Sequence, residues 1–409
     1  MSTSGATTLL DVSKLPVEQA ITKLIAYAVM LPASDIFFSS DVDVVRVSVR
    51  HMGLVSPLCV LPAEQGKKCL SHVKAMAGMD LSEKRRPQDG RWVQKTEGDA
   101  TIDLRCSVIP TLHGEDISLR LLSKANRLFG IEELGLLGQQ LRELQSFLDS
   151  PGGLVLLTGP TGSGKTATLY AALARLNDGK RKINTIEDPI ENAIAGVRQS
   201  QVNTSLDLGF SELLKSVLRQ SPDVIMIGEI RDAETADVAV RAANSGHLVL
   251  ATIHAPAAAG AVQSMRGLGV HPHFLSTALR GIVSQRLVRT ICPDCRIEFD
   301  LSLAPHTFDD VRPWLTEDQG NALHASKGCA SCQFTGYAGR TGVFEVMTIS
   351  RKLRDLIAEG RPVTELRAAA ASENHLEFRQ SALLKVAQGI TSSEEVFRVI
   401  PSEQLLEAA

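Results

Sequence analysis

Three rhythms of apolar and polar positions run along the chain. Between Val17 and Leu31 the residues Ala20, Ile21, Leu24, Ile25, Ala28 and Leu31 recur at helical spacing. Pro16 suits the first helical turn, and Pro32 stops the segment. Next, Val45, Val47 and Val49 alternate with Arg46, Ser48 and Arg50, the period of a strand with one buried face. The same period sets Ile102, Leu104, Cys106 and Val108 against Asp103, Arg105 and Ser107, and Ile117, Leu119 and Leu121 against Ser118 and Arg120. These elements predict a small α/β domain over residues 1–125.

Residues 126–150 read as a linker ending in an amphipathic helix that carries Leu141, Leu144, Phe147 and Leu148. From residue 151 the rhythm changes. Short apolar runs at Leu154–Leu157, Val224–Ile227 and His247–Ile253 alternate with helical segments, as in a mostly parallel sheet covered on both faces. The second domain therefore spans residues 151–409, with cysteine pairs grouped at about 290–335 and helical patterns after them.

Composition narrows the function. The 409 residues carry 43 Lys+Arg against 46 Asp+Glu, 22% charged and 44% hydrophobic, the mix of a folded globular chain. A net charge of -3 and an aromatic content of 4% argue against a nucleic-acid partner, which needs clustered positive charge and stacking surfaces. The longest early apolar run, Leu24 to Leu31, falls well short of the roughly 20 residues that span a bilayer. No basic n-region opens the sequence. We therefore expect a cytoplasmic chain with no direct membrane insertion, whose membrane contact runs through a partner.

Residues 159–166 read GPTGSGKT and satisfy G-x-x-x-x-G-K-[ST] in full, between a strand-like run and a helical one. Gly159, Gly162 and Gly164, with Pro160, Thr161 and Ser163 between them, would let successive backbone N–H groups face phosphates. Lys165 would neutralise β/γ oxygens, and the Thr166 hydroxyl would ligate Mg²⁺. This is an NTP site.

An ATPase also needs carboxylates for the metal and the attacking water. Asp223 to Glu229 reads as an acid, an apolar strand and a carboxylate where the strand emerges, so Glu229 is assigned to water. Glu187 and Asp188, after a second strand, are assigned as supporting acids near the metal. His247 and His254 bracket a third strand; each could sense a γ-phosphate or be an ordinary hydrogen-bonded histidine.

Cys292, Cys295, Cys329 and Cys332 form two Cys-x-x-Cys pairs 33 residues apart, enough for a closed tetrahedral Zn²⁺ site once the intervening loop folds back. A redox pair is the rival reading, although it needs only one such motif. Cys59, Cys69 and Cys106 read as small buried apolar residues.

Taken together, these motifs closely resemble the type II secretion and type IV pilus assembly ATPase family, of the GspE, PilB and PilT type. The runs that carry the resemblance are RPQDGR at 86–91, VIPTLHGED at 108–116, GPTGSGKT at 159–166 and TIEDPIE at 185–191. MIGEIRDAETADVAVRAANSGHLVLATIHA at 226–255 and GYAGRTGVFEV at 336–346 complete it. The resemblance implies a PAS-like N-terminal domain, then a RecA-like P-loop NTPase domain with a zinc-binding insertion and C-terminal helices. It also implies a hexameric ring that uses ATP to assemble pilins or pseudopilins, docked on the bacterial inner membrane through a polytopic platform protein.

By the same resemblance Glu187–Asp188 is an aspartate box, Glu229 the Walker B glutamate and His247 with His254 a histidine box. Arg105, Arg120, Arg219 and Arg231 match arginines that reach the nucleotide, the first two on the polar faces of strands that a turn at His113-Gly114 could pair. The tetracysteine element accompanies assembly and secretion motors rather than retraction motors. A further N-terminal domain is frequent among them, and from the short stretch before residue 17 we expect this chain to lack it. Phe37 replaces a family His, Ala255-Pro256 replaces Thr-Asn, Ser245 replaces Thr, and Ser381-Ala382 stands where Gly is common. Two other functions fit the same P-loop core: a nucleic-acid translocase, and a nucleotide-gated adaptor that barely hydrolyses ATP.

Overall fold

In the computed structural model the described residues are 10–95, 101–123, 128–373 and 375–405. The chain divides into two compact units, Met1–Arg127 and Leu128–Ala409.

In the first unit, α1 (Val17–Met30) precedes three strands, β1 (Asp35–Ser40), β2 (Val44–His51) and β3 (Leu54–Pro62). Helix α2 (Ala63–Met76) follows, then β4 (Gln88–Lys95), β5 (Thr101–Thr111) and β6 (Gly114–Ser123). The strands form one antiparallel sheet in the order β3-β2-β1-β6-β5-β4. Alternation decides which face is covered: Ile36, Phe38, Val47, Leu104, Cys106 and Leu119 join Ile21, Leu24 and Ile25 of α1 and Leu70 and Val73 of α2 in one core. The other face carries Arg50, Asp35, Arg120, Arg105 and Arg91.

The second unit opens with α3 (Gly138–Leu148), and its sheet alternates strands and helices. These are β7 (Gly153–Thr158), α4 (Lys165–Leu176), β8 (Ile183–Glu187), β9 (Arg198–Gln201), α5 (Phe210–Leu218), β10 (Val224–Ile227), α6 (Ala233–Asn244) and β11 (Leu248–Ile253). After α7 (Ala258–Gly267) and α8 (Pro272–Ala278) comes the long β12 (Leu279–Ile291). The ribbon of β13 (Arg296–Asp300) and β14 (Ala322–Ser326) then leads to β15 (Tyr337–Thr348). Helices α9 (Arg351–Ala358), α10 (Val363–Ala371), α11 (Phe378–Ala387), α12 (Ser393–Val399) and α13 (Ser402–Leu405) finish the unit.

The sheet order is β15-β12-β7-β11-β10-β8-β9, parallel throughout except for β15. Every residue of β7, β8, β10 and β11 is buried, which is why β7, β10 and β11 read as largely apolar runs rather than alternating ones, while β8 buries Asn184, Thr185 and Glu187. Because the registers align Thr158 with Ile253, Ala251 with Ile227, and Ile227 with Ile186, the strands end together on one edge.

Helix α3 covers one end of this sheet through Leu144, Phe147 and Leu148. The Gln140 amide donates to Phe344 O at 2.7 Å and to Ser381 Oγ at 2.8 Å, tying α3 to β15 and α11. The contact is close: a Cβ at Gly281 would lie 2.2 Å from the Phe147 ring. Gly281→Ala should therefore cost about 1–3 kcal/mol in urea unfolding, as overpacked cores do. An unchanged midpoint would mean that α3 is not seated against β12.

Candidate functional site

The phosphate cradle forms as its residue types require. Gly159, Gly162 and Gly164 take φ of 142°, 76° and 90°, in the left-handed region that disfavours a side chain. The loop is backed by β12, which continues past the end of β7: the Gln285 amide donates to Ser163 O at 2.8 Å. A Cβ at Gly159 would lie 2.5 Å from Gln285 O. Pro160 and Thr161 cap the exposed crest of the loop, and Thr166 follows Lys165 in the first turn of α4. Lys165 Nζ donates to Gly159 O and Pro160 O at 2.8 and 3.1 Å. Burial pushes this ammonium below its ordinary range; Glu229 opposes the shift, and Arg286 adds to it.

Beside the loop, β10 ends in Gly228. A Cβ there would lie 3.2 Å from Ile186 O, so glycine lets β8 and β10 close on each other. Gly228 N bonds to Ile186 O at 2.8 Å, and Thr252 Oγ1 bonds to Gly228 O at 2.6 Å. These bonds fix the next residue. One Glu229 oxygen accepts from Arg231 Nε at 2.6 Å, and the other meets His254 Nε2. Arg231 Nη1 also lies 3.5 Å from Asp188 Oδ2. Strand ends β8, β10 and β11 thus bring Asp188, Arg231, Glu229 and His254 into one cluster near Lys165.

Three expected site residues are placed differently. Glu187 is 3% exposed, and its oxygens accept from Tyr170 OH, Thr185 Oγ1 and Gln199 Nε2 at 2.5, 2.5 and 3.0 Å. Saturated by neutral donors, it pins α4, β8 and β9 rather than facing a metal; burial and this carboxylate push the Tyr170 hydroxyl up. His247 precedes β11 at the opposite edge of the sheet, and its Nδ1 lies 3.0 Å from Ala242 O and 3.1 Å from Ser245 Oγ. Arg219 caps the C-terminus of α5 at that same edge, bonded to Ser216 Oγ at 3.1 Å. A strand of six residues separates the two edges, roughly 20 Å.

Gln285 and Arg286 were not expected. Arg286 is 4% exposed and donates to Gln285 O at 3.0 Å and Pro256 O at 2.7 Å. A Gln-Arg pair inside a 13-residue, mostly buried strand is the feature that marks them.

In the first unit, strand register lines up Arg50, Asp35, Arg120, Arg105 and Arg91 across five strands. Arg105 and Arg120 face each other directly, as a turn at His113-Gly114 implies. Asp35 lies 3.3 Å from Arg120 Nε and 3.4 Å from Arg50 Nε, while Arg91 pairs with Asp103 at 2.6 Å. Among the described residues, the Arg105 side chain makes no hydrogen bond or ion pair. Like charges placed directly opposite are unfavourable, so this row suits an anion.

The four cysteine sulfurs lie within 4.8 Å of one another. The separations Cys292–Cys329, Cys295–Cys332 and Cys329–Cys332 are 3.9, 3.8 and 3.7 Å. A tetrahedron with Zn–S bonds of about 2.3 Å has edges of about 3.8 Å, so the donor set fits zinc. The 33-residue gap is spanned by the β13–β14 ribbon, and Cys292 N bonds to Gly336 O at 3.0 Å where β12 leaves and β15 returns. Burial pushes the Cys332 thiol up, but the N–H groups of Cys329 and Gly336, each 3.2 Å from its sulfur, prevail and bring it to about 6. Burial is the largest cause that raises the thiols of Cys59, Cys69 and Cys106 to about 11, 11 and 12, chemically quiet.

A RecA-like P-loop ATPase with a tetracysteine element is the class that this fold and site define, and comparison with known proteins agrees. The Type II/IV secretion system protein model matches residues 11–398. The type II secretion system protein E of Dickeya dadantii is 40% identical over 389 residues, 95% of this chain and 76% of that protein. The type IV pilus assembly ATPase PilB of Thermus thermophilus is 39% identical over 95% of this chain and 43% of its own length. Among solved structures, the Legionella pneumophila ATPase DotB superposes with a TM-score of 0.69 at 19% identity, covering 95% of this chain and 97% of that one. The pilus retraction motor PilT gives 0.60 at 24% identity, covering 92% and 96%. The chain belongs to the type II/IV secretion system protein family and is an ATPase of it. Among the described residues no helix is long and apolar enough to cross a membrane.

If the cysteines hold a structural metal, the purified chain should contain about one thiophilic metal equivalent, lost in Cys295→Ser. Chelation should lower the thermal midpoint by several degrees or more, since such a metal supplies folding energy. Metal-free protein with an unshifted midpoint would contradict the assignment.

Proposed function

We propose that this chain is a cytoplasmic motor ATPase that works as a hexameric ring. It would couple ATP hydrolysis to pilus or pseudopilus assembly or type II secretion, held at the bacterial inner membrane by a platform protein. Family membership supports the process, and the arrangement of the two sheet edges supports the ring. In this reading the P-loop N–H groups and Lys165 bind the triphosphate, and Lys165 exchanges the loop carbonyls for β/γ oxygens. The Thr166 hydroxyl, with Asp188 nearby, would hold Mg²⁺, which screens phosphate charge. Glu229, fixed by Arg231 and His254, would orient the attacking water, with His254 open toward the γ-phosphate.

Arg219 carries the argument for a ring. It sits roughly 20 Å from its own cradle, so it can serve only a neighbour's nucleotide, as an arginine finger in trans. Arg105 and Arg120 are proposed to close on the triphosphate as well, so that binding draws two lobes together and hydrolysis releases them. Zn²⁺ at the tetracysteine site would brace the fold without taking part in chemistry.

Glu229→Gln should lower turnover roughly a hundredfold or more while ATP still binds, the scale of losing a preorganised catalytic group. Lys165→Ala should abolish binding. Retained turnover in Glu229→Gln would favour the nucleotide-gated adaptor instead. A second test uses mixed rings: Glu229→Gln and Arg219→Ala chains, each inactive alone, should on mixing recover up to roughly a quarter of wild-type activity, because an intact cradle then meets an intact finger. No recovery under conditions of subunit exchange would place Arg219 outside the site.

A further inference from the structure

The segment that carries His254 is held entirely from outside. Ala255 has no polar side chain and Pro256 no N–H, so neither can anchor the turn itself. Instead its carbonyls are taken one after another. His254 O accepts from Ser264 Oγ at 2.9 Å, and Ala255 O from Thr158 Oγ1 at 2.9 Å. Pro256 O accepts from Arg286 Nη2 at 2.7 Å and from Gln404 Nε2 at 2.8 Å. At the far end, Ala258 N donates to Glu345 Oε2 at 2.8 Å.

Arg286 is the member of this set that also reaches the phosphate cradle. Its Nη1 donates to Gln285 O, the carbonyl packed behind Gly159, while the Gln285 amide holds Ser163 O. The Phe378 ring closes the remaining side, 5.1 Å from the guanidinium carbon. Burying a guanidinium is costly: burial pushes Arg286 below its ordinary range, and the nearby Glu345 carboxylate opposes that only in part, while the hydrogen bonds of the fork go to backbone carbonyls. Arg286 therefore contributes more geometry than stability: one rigid planar fork spans two backbone oxygens, one behind the P-loop and one two residues beyond His254.

We propose that Arg286 is a positioning residue of the ATPase site, setting His254 against Glu229 according to the position of the phosphate loop. This rests on the reading of Glu229 and His254 as groups that act on ATP. Because neither Ala255 nor Pro256 can anchor the turn locally, the external clasp is what holds the segment.

The test is a double-mutant cycle on the full chain, with ATP affinity and single-turnover hydrolysis measured for Arg286→Lys, His254→Ala and their combination. Lysine keeps the charge but cannot span both carbonyls. Arg286→Lys should slow hydrolysis about tenfold while ATP affinity stays within about threefold, the signature of a contact that matters after binding. Combined with His254→Ala it should add nothing further, since the arginine acts through the histidine. Multiplied losses, an Arg286→Lys rate equal to wild type, or a His254→Ala rate equal to wild type would each overturn the proposal.

Should Arg286→Lys fail to fold, Gln404→Ala removes the other donor to Pro256 O. It should then give a roughly two- to fivefold loss that His254→Ala again absorbs, and a loss multiplying with His254→Ala, or none, would overturn the proposal. Failure of the underlying reading is separately visible, because Glu229→Gln would then keep its turnover.

Discussion

The Glu229 carboxylate, gripped on one oxygen by Arg231 and on the other by His254, is the contact on which the rest of the second unit converges. A half-buried carboxylate is stable as an anion only where hydrogen-bonded cations or donors meet it. Supplying His254 from β11, and Asp188 from β8 to pair with Arg231, requires those strands to end together with β10. The parallel order of β7, β11, β10 and β8 does so, and the same order places the glycine cradle beside the cluster. Gly228 allows the close approach of β8 that completes it.

Parallel strands also create the second edge, and it is as informative as the first. His247 and Arg219 lie there, one bonded to the end of α6 and the other capping α5. Resemblance placed both with the nucleotide, but chain direction separates them from their own cradle. For Arg219, the proposed ring of identical chains would reconcile the role that the resemblance implies with this position. His247 has a sufficient local role in its bonds to Ala242 O and Ser245 Oγ.

Much of the fold was legible because burial writes itself into residue order. Alternation exposed the strands of the first unit, with the facing pair Arg105 and Arg120, and unbroken apolar runs exposed the covered parallel strands. GPTGSGKT and the cysteine pairs were readable because their chemistry is carried by side chains at fixed spacing. What stayed hidden depends on partners distant in sequence. Glu187 looked like a metal ligand until Tyr170 and Gln199 were seen to occupy its oxygens. Arg286 could not be assigned from spacing, because it acts on carbonyls, which every residue possesses. The row Arg50–Asp35–Arg120–Arg105–Arg91 required the strand register, which no single strand reveals.

The account stands or falls on whether one chain needs another to hydrolyse ATP. Turnover per 44.0 kDa chain, followed over a wide range of protein concentration while particle mass is recorded in the same samples, tests this directly. The account requires turnover to rise with the appearance of six-chain particles, and a platform protein's cytoplasmic domain to shift both curves together. A monomer with constant turnover at every concentration would contradict it.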